Sequence, residues 1–110
     1  MKFKNMFSPI QIGPMTVKNR FVVPPMGNNF ANSDGTWSDE SVAYYGERAK
    51  GQFGLITIEA TVVHKGAKGG PKKPCLYDDN SIESLKKITD ACHEEGAKVS
   101  IQLQNAGPEG

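Results

Sequence analysis

The chain reads as an α/β protein built on parallel strands, and as the front part of a larger one. Three observations predict this. Short apolar strands begin near positions 21, 55 and 99. Segments with apolar residues at three- and four-residue steps separate them, the pattern of right-handed crossovers between parallel strands. The third strand is the last element of the 110 residues, so no helix follows to cover it. Three parallel strands with two helices leave one sheet face bare and two edges open. Met1 reads as a natural start and Gly110 as a cut, and residues 1–110 as a single partial domain.

In chain order, residues 1–19 carry turn signals and little helical periodicity. Ile10-Gln11-Ile12 and Met15-Thr16-Val17 alternate with period two around Gly13-Pro14, which predicts a hairpin. Phe21-Val22-Val23 reads as a strand buried on both faces, ended by Pro24-Pro25 because neither proline can donate to a ladder. Ser38 opens a helix with Asp39 and Glu40 in its first turn, where the macrodipole favours acids. Val42, Tyr45, Ala49 and Phe53 form its buried stripe, and Gly51 and Gly54 supply the stop. Leu55-Ile56-Thr57-Ile58 is the second strand, ending at Glu59-Ala60-Thr61. Asn80 or Ser81 caps a second helix, with Glu83 three residues after Asn80. Ile82, Leu85, Ile88 and Cys92 are its apolar stripe, Gly96 its end, and Val99 to Leu103 the third strand.

Composition removes several functions. The chain carries 13 Lys+Arg against 12 Asp+Glu, a formal charge of +1, so it has no electrostatic footprint for nucleic acid. No apolar run of eighteen predicts a membrane span, and no secretory signal stands at the start. Cys75 and Cys92 form no CxxC, so neither a disulfide scaffold nor a metal site is expected, and a reduced, cytoplasmic setting is.

Sites in parallel α/β folds form at the carboxyl ends of the strands. Here those ends are Pro24-Pro25-Met26-Gly27-Asn28-Asn29, Glu59-Ala60-Thr61 and Gln102-Leu103-Gln104-Asn105. The prolines leave backbone carbonyls without a ladder, Met26 offers a flat polarizable contact, Gly27 admits a ligand to the backbone, and Gln102 both donates and accepts. The set suits a planar, amide-bearing ring. The plain alternative is a strand-to-loop transition with a polar rim.

These residues also resemble a family. Phe7-Ser8-Pro9-Ile10 with Ile12-Gly13, then Val17-Lys18-Asn19-Arg20 running into Val23-Pro24-Pro25-Met26, is similar to the amino terminus of the old yellow enzyme family of flavin oxidoreductases. Tyr44-Tyr45 with Arg48-Ala49-Lys50-Gly51 resembles its first helix, and Gly54-Leu55-Ile56 through Glu59-Ala60-Thr61 its second strand. His93 with Gly96-Ala97-Lys98, then Gln102-Leu103, resembles its second helix and third strand. The resemblance implies the N-terminal portion of a (β/α)8 TIM barrel: a hairpin, then β-α-β-α-β. It implies FMN over the strand ends, NAD(P)H as reductant, and hydride passed through the flavin to an activated C=C bond of an enone or enoate.

Residue by residue, it implies that the Pro25-Met26 backbone supports the flavin ring and that Gly27 lies near its O4/N5 edge. Ala60 would meet the pyrimidine side through its backbone, Gln102 would hydrogen-bond the N3/O2 region, and Asn29 would face the substrate. Arg20, at the amino end of the first strand, would be structural. The family often follows its third-strand glutamine with His-Ala-Gly-Arg. This chain has Asn105-Ala106-Gly107-Pro108, which marks a divergent branch. Longer relatives add a 4Fe-4S cluster whose cysteines lie far beyond residue 110, and Cys75 and Cys92 match none of them. The substrate-anchoring pair, the proton donor and the phosphate site come from later strands. The chain therefore carries no catalytic residue and is expected to be inactive alone.

The remaining candidates have plainer readings. His64 and His93 have no metal-spaced partner, and His93 belongs on a helix surface. Cys75 is an ordinary thiol. Tyr45 belongs to the core, Trp37 packs at a helix start, and Glu59 enters a buried-edge ion pair. The basic, glycine-rich run Lys65 to Lys73 reads as a solvated loop, since it lacks the phosphate-loop pattern. Were it a nucleotide binder, Lys65, Lys68, Lys72 and Lys73 would carry the contact. The alternative for the whole chain is a free-standing α/β binding module that pairs its open edges with a second copy.

Overall fold

The structure is a computed structural model and describes residues 3–65 and 72–107. Its first element, a single helical turn α1 (Lys4–Phe7), was not expected from the sequence. Four residues carry no periodicity to detect. The turn is held from outside, by the Arg20 amide donating to the Met6 carbonyl at 3.0 Å and by the Phe7 ring against Phe21 with centroids 5.2 Å apart.

The hairpin forms as predicted: β1 (Ile10–Ile12) pairs antiparallel with β2 (Met15–Val17), and Gly13 takes φ +55° in the turn. Lys18, just past β2, ties it to the rest. Its ammonium donates to Gln52 Oε1 at 2.8 Å and to the Glu95 carbonyl at 2.6 Å. The second contact meets a helix carboxyl end, where a cation is favoured.

Three parallel strands follow in the order β3 (Val22–Val23), β4 (Leu55–Val62), β5 (Lys98–Gln104). Helices α2 (Asp39–Lys50) and α3 (Ile82–Glu94) both cover one side of this sheet. Val23, Ile56, Ile58, Tyr45, Ala49, Ile88 and Cys92 form the core between the layers. On the other side Val22, Lys98, Ser100 and Gln102 are exposed, and Thr57 Oγ1 lies 2.7 Å from Ser100 Oγ. The first strand is thus not buried on both faces as expected: Val23 is buried but Val22 is 49% exposed.

Helix α2 starts as predicted, with Ser38 Oγ accepting from the Ser41 amide at 3.1 Å. Its end differs. Gly51 stays right-handed at φ −71°, and the left-handed residue is Gln52 at φ +73°. Gln52 is held there by its own contacts: its carbonyl accepts from Asn19 Nδ2 at 2.7 Å and its side chain from Lys18. Gly54 answers a different need. A Cβ on it would lie 2.6 Å from Asn19 Oδ1 and 2.7 Å from Val17 Cγ1, so the hairpin can press onto the start of β4 only over a glycine.

Helix α3 is preceded by a 3-10 turn, Asp79–Ser81. Ser81 holds the cap position of α3 as one of the two expected residues, but makes no side-chain capping bond; Asp78 caps the 3-10 turn, its carboxylate accepting from the Asn80 amide at 2.9 Å. Ser81 Oγ is already committed, donating to the Cys75 carbonyl at 2.5 Å. Ile82, expected in the apolar stripe, is 57% exposed because the helix buries Ile88 and Cys92 instead. Gly96 turns the chain into β5 at φ +81°.

Two glycines separate close approach from helix propensity. Gly54→Ala forces a methyl into the Asn19 and Val17 contacts and is expected to destabilise by about 1–3 kcal/mol. Gly46→Ala, inside α2 and 3.7 Å from Ala91 Cβ, is expected to stabilise by up to about 1 kcal/mol. Urea unfolding midpoints of the two variants should move in opposite directions.

Candidate functional site

Parallel pairing brings the predicted residues level. Val23, Ile56 and Val99 share one row of the sheet. Three residues further on stand Glu59 in β4 and Gln102 in β5, with Ala60 beside Glu59, and Met26 in the loop just past β3. Pro25, Met26, Gly27, Ala60 and Gln102 therefore gather at one end of the sheet, and Asn29 follows in a left-handed turn at φ +59°. Pro25, Met26, Gly27, Asn29 and Gln102 are exposed there, and Ala60 is half-buried. Gln104 Oε1, two residues past Gln102, is buried without a hydrogen-bond partner among the described residues. A buried acceptor left unpaired is costly, so this end is built to receive polar groups from elsewhere. Arg20 lies at the opposite end, its guanidinium on the Pro9 carbonyl at 3.3 Å.

A β-bulge shapes the site. From Ile58 to Thr61 β4 takes three steps while β5 takes two from Ile101 to Leu103. The extra residue breaks the in–out alternation, so Glu59 follows Ile58 to a buried position and Ala60 is left at the rim. No glycine or proline marks this bulge, and nothing in the sequence announced it.

Glu59 is only 1% exposed. The expected ion pair is not what satisfies it. Tyr45 OH donates to Glu59 Oε1 at 3.3 Å and accepts from the Glu59 amide at 3.0 Å, while the Asn28 amide donates to Oε2 at 3.2 Å. Burial pushes the carboxyl pKa above the ordinary glutamate range; the Asn28 and Tyr45 hydrogen bonds and the charge of Lys73 pull against that rise. Burial also raises the Tyr45 phenol, which stays protonated and free to donate. One carboxylate thus joins α2, β4 and the loop after β3. The acid inside an apolar strand was the signal available in the sequence; its partners were not.

A strap passes beside this cluster. Val62 pairs with Cys75 as an isolated bridge. The Val62 amide donates to the Pro74 carbonyl at 2.9 Å, the Leu76 amide to the Val62 carbonyl at 2.7 Å, and the Cys75 amide to the Gly35 carbonyl at 2.8 Å. Held this way, Pro74 to Leu76 deliver Lys73 to the site: its Nζ lies 3.4 Å from where a Cβ on Gly27 would stand. Residues 66–71 of the basic run lie outside the described residues, as does Pro108.

The other candidates take their plainer places. His93 is exposed on α3, and Trp37 is buried ahead of α2. Cys75 and Cys92 are both buried free thiols, the latter pushed up to about 11 by burial. Tyr44 stacks under the Arg48 guanidinium at 3.6 Å. A cavity of about 370 Å³ lies along the open edge of β3, between Val22, Pro24, Met26, Arg48 and Phe53, on the outer side of the strand ends. No helix among the described residues is long and apolar enough to cross a membrane.

Residues 5–110 match the model of the NADH:flavin oxidoreductase / NADH oxidase family. Among solved structures, the old yellow enzyme of Trypanosoma cruzi is 36% identical over 100% of this chain and 29% of its own, with a TM-score of 0.90. An old yellow enzyme from a Pichia species is 36% identical over 92% of this chain and 26% of its own, TM-score 0.86. A 2-naphthoyl-CoA reductase is 33% identical over 97% of this chain and 16% of its own, TM-score 0.93. The chain therefore spans less than a third of each of these structures. Its strands and helices are the opening portion of their (β/α)8 barrel.

The Glu59 cluster has a pH signature. With its folded pKa raised, the native state keeps a proton at pH values where the unfolded chain has lost it. Its contribution to stability is full below the ordinary glutamate pKa and is lost as pH rises through the folded value. Glu59→Gln should flatten this slope above the ordinary glutamate pKa. Tyr45→Phe leaves the Glu59 amide and carboxylate short of a partner and should cost about 1–3 kcal/mol. Urea unfolding as a function of pH reads both.

Proposed function

The chain belongs to the NADH:flavin oxidoreductase / NADH oxidase family, and from that membership we propose that residues 1–110 are a partial domain of an FMN-dependent oxidoreductase. In this reading the strand ends are the seat of the flavin ring. FMN, when bound, accepts hydride from NAD(P)H and passes it to an activated C=C bond of an enone or enoate; that redox chemistry belongs to the cofactor.

What the chain contributes is orientation. The exposed Pro25-Met26 backbone forms a floor with no ladder partner to compete for it, and Gly27 keeps that floor open. The Ala60 backbone, pushed to the rim by the bulge, and the Gln102 side chain present donors and acceptors on neighbouring strands, a spacing suited to a heterocycle with alternating N–H and C=O groups. The side chain of Gln104 still wants a partner at this end. Asn29 stands beyond the floor, where a substrate would enter. No residue here is assigned as proton donor, and the phosphate anchor belongs to strands outside this chain. Cys75 and Cys92, both buried, are given no part in an iron–sulfur cluster, and as free thiols they favour a reduced, cytoplasmic setting.

The observation that carries this reading is that Ala60 and Gln102 stand on the paired strands β4 and β5 near the same end, with Met26 three residues past the end of neighbouring β3. The bare sheet face favours one other reading, a half-barrel completed by a second copy of the chain. Light scattering tests it: a strict monomer with sharp thermal unfolding opposes self-completion.

For the flavin seat, Gln102→Ala in the full-length protein should weaken FMN binding about tenfold, the loss of roughly one hydrogen-bonded contact to a polar ring edge. Flavin fluorescence titration measures it, and an unchanged affinity would remove Gln102 from the seat. The 110-residue chain alone should neither oxidise NADH nor bind FMN at micromolar concentration.

A further inference from the structure

Lys73 is the one feature at the strand ends that the floor, the bulge and the polar rim leave unused. It comes from the basic run after β4, far from the residues that form the floor. Its neighbours in that run go elsewhere: Lys65 Nζ stands 5.7 Å from the centre of the Tyr77 ring, and Lys72 is exposed. Among the described lysines of the run, only Lys73 is carried inward, because the three residues after it are strapped to Val62 and Gly35. The Cys75 carbonyl is further fixed by Ser81 Oγ. The ammonium arrives 3.4 Å from the point where a side chain on Gly27 would begin. The space that a side chain at position 27 would fill is bordered by a positive charge supplied from another loop.

We propose that Lys73 sets the electron affinity of the cofactor at this seat by holding its ammonium over Gly27, at the edge of the ring. This rests on the FMN reading above. Taking up two electrons and one proton leaves the flavin with one more negative charge than before. A fixed cation within a few ångströms favours that product over the oxidised ring.

The surroundings preserve the charge. The facing acid is Glu59, buried and hydrogen-bonded to Tyr45 and the Asn28 amide, and burial disfavours its ionised form. The nearest counter-charge is therefore weakened, and no ion pair with Lys73 forms among the described residues. Gly27 completes the arrangement, since a bulky side chain there would displace the ammonium from the edge.

The test uses the full-length protein reconstituted with FMN, with Lys73→Gln, Lys73→Arg and Lys65→Gln as variants. The midpoint potential is read against a reference dye, and FMN affinity by fluorescence. Lys73→Gln should shift the balance about tenfold toward oxidised flavin, about 30 mV lower for a two-electron couple, while FMN affinity stays within about threefold. Lys73→Arg should restore the potential to within twofold in the same ratio, and Lys65→Gln should not move it. Equal potentials in Lys73→Gln and the parent, with FMN bound in both, overturn the inference and leave the flavin seat standing. Loss of FMN only in Lys73→Gln makes Lys73 an anchor and also overturns it. Failure of the parent to bind FMN overturns the flavin seat, and this inference with it.

Discussion

A carboxylate taken out of water must be met by donors, and at Glu59 that requirement organises the end of the molecule where the site lies. The acid reaches its buried position only because β4 carries one residue more than β5 at that level. Tyr45 meets it from α2 and the Asn28 amide from the loop after β3. Removing any one partner leaves the others with unpaired polar groups, so the three elements hold one another in place. The loop after β3 is thereby fixed through its backbone at Asn28.

The second constraint is that the sheet is covered on one side only. Both helices pack against the face that holds Val23, Ile56 and Ile58. The opposite face presents Val22, Lys98, Ser100 and Gln102 to solvent. Parallel sheets are ordinarily buried on both faces, and the solved relatives, each more than three times the length this chain covers in it, place that face inside a closed barrel. β5 is polar along this whole side, with Lys98, Ser100 and Gln102 in place of aliphatic residues.

Much of this was legible in the sequence. The three strands, the two helices, the hairpin around Gly13 and the Ser38 cap follow from periodicity and capping chemistry, which act within a few residues. The gathering of Met26, Ala60 and Gln102 follows from parallel order. What was missed depends on contacts between distant residues. Gln52 takes the left-handed position expected of a glycine because Lys18 and Asn19 hold it there. Ser81 stands at the cap of α3 but makes no capping bond, because its hydroxyl is spent on the Cys75 carbonyl, and Asp78 caps the 3-10 turn before it. The bulge at Glu59 and the delivery of Lys73 to Gly27 depend on strand registry and on a strap, and neither leaves a local mark.

The hairpin contacts carry a consequence for how the chain acquires its shape. Lys18 bridges to Gln52 across 34 residues and to the Glu95 carbonyl across 77. Loops of that length close at an entropic cost that only already-formed partners repay. The hairpin lysine can therefore settle only once α2 and α3 have docked. One ammonium ion thus latches the hairpin to the segments that end both helices.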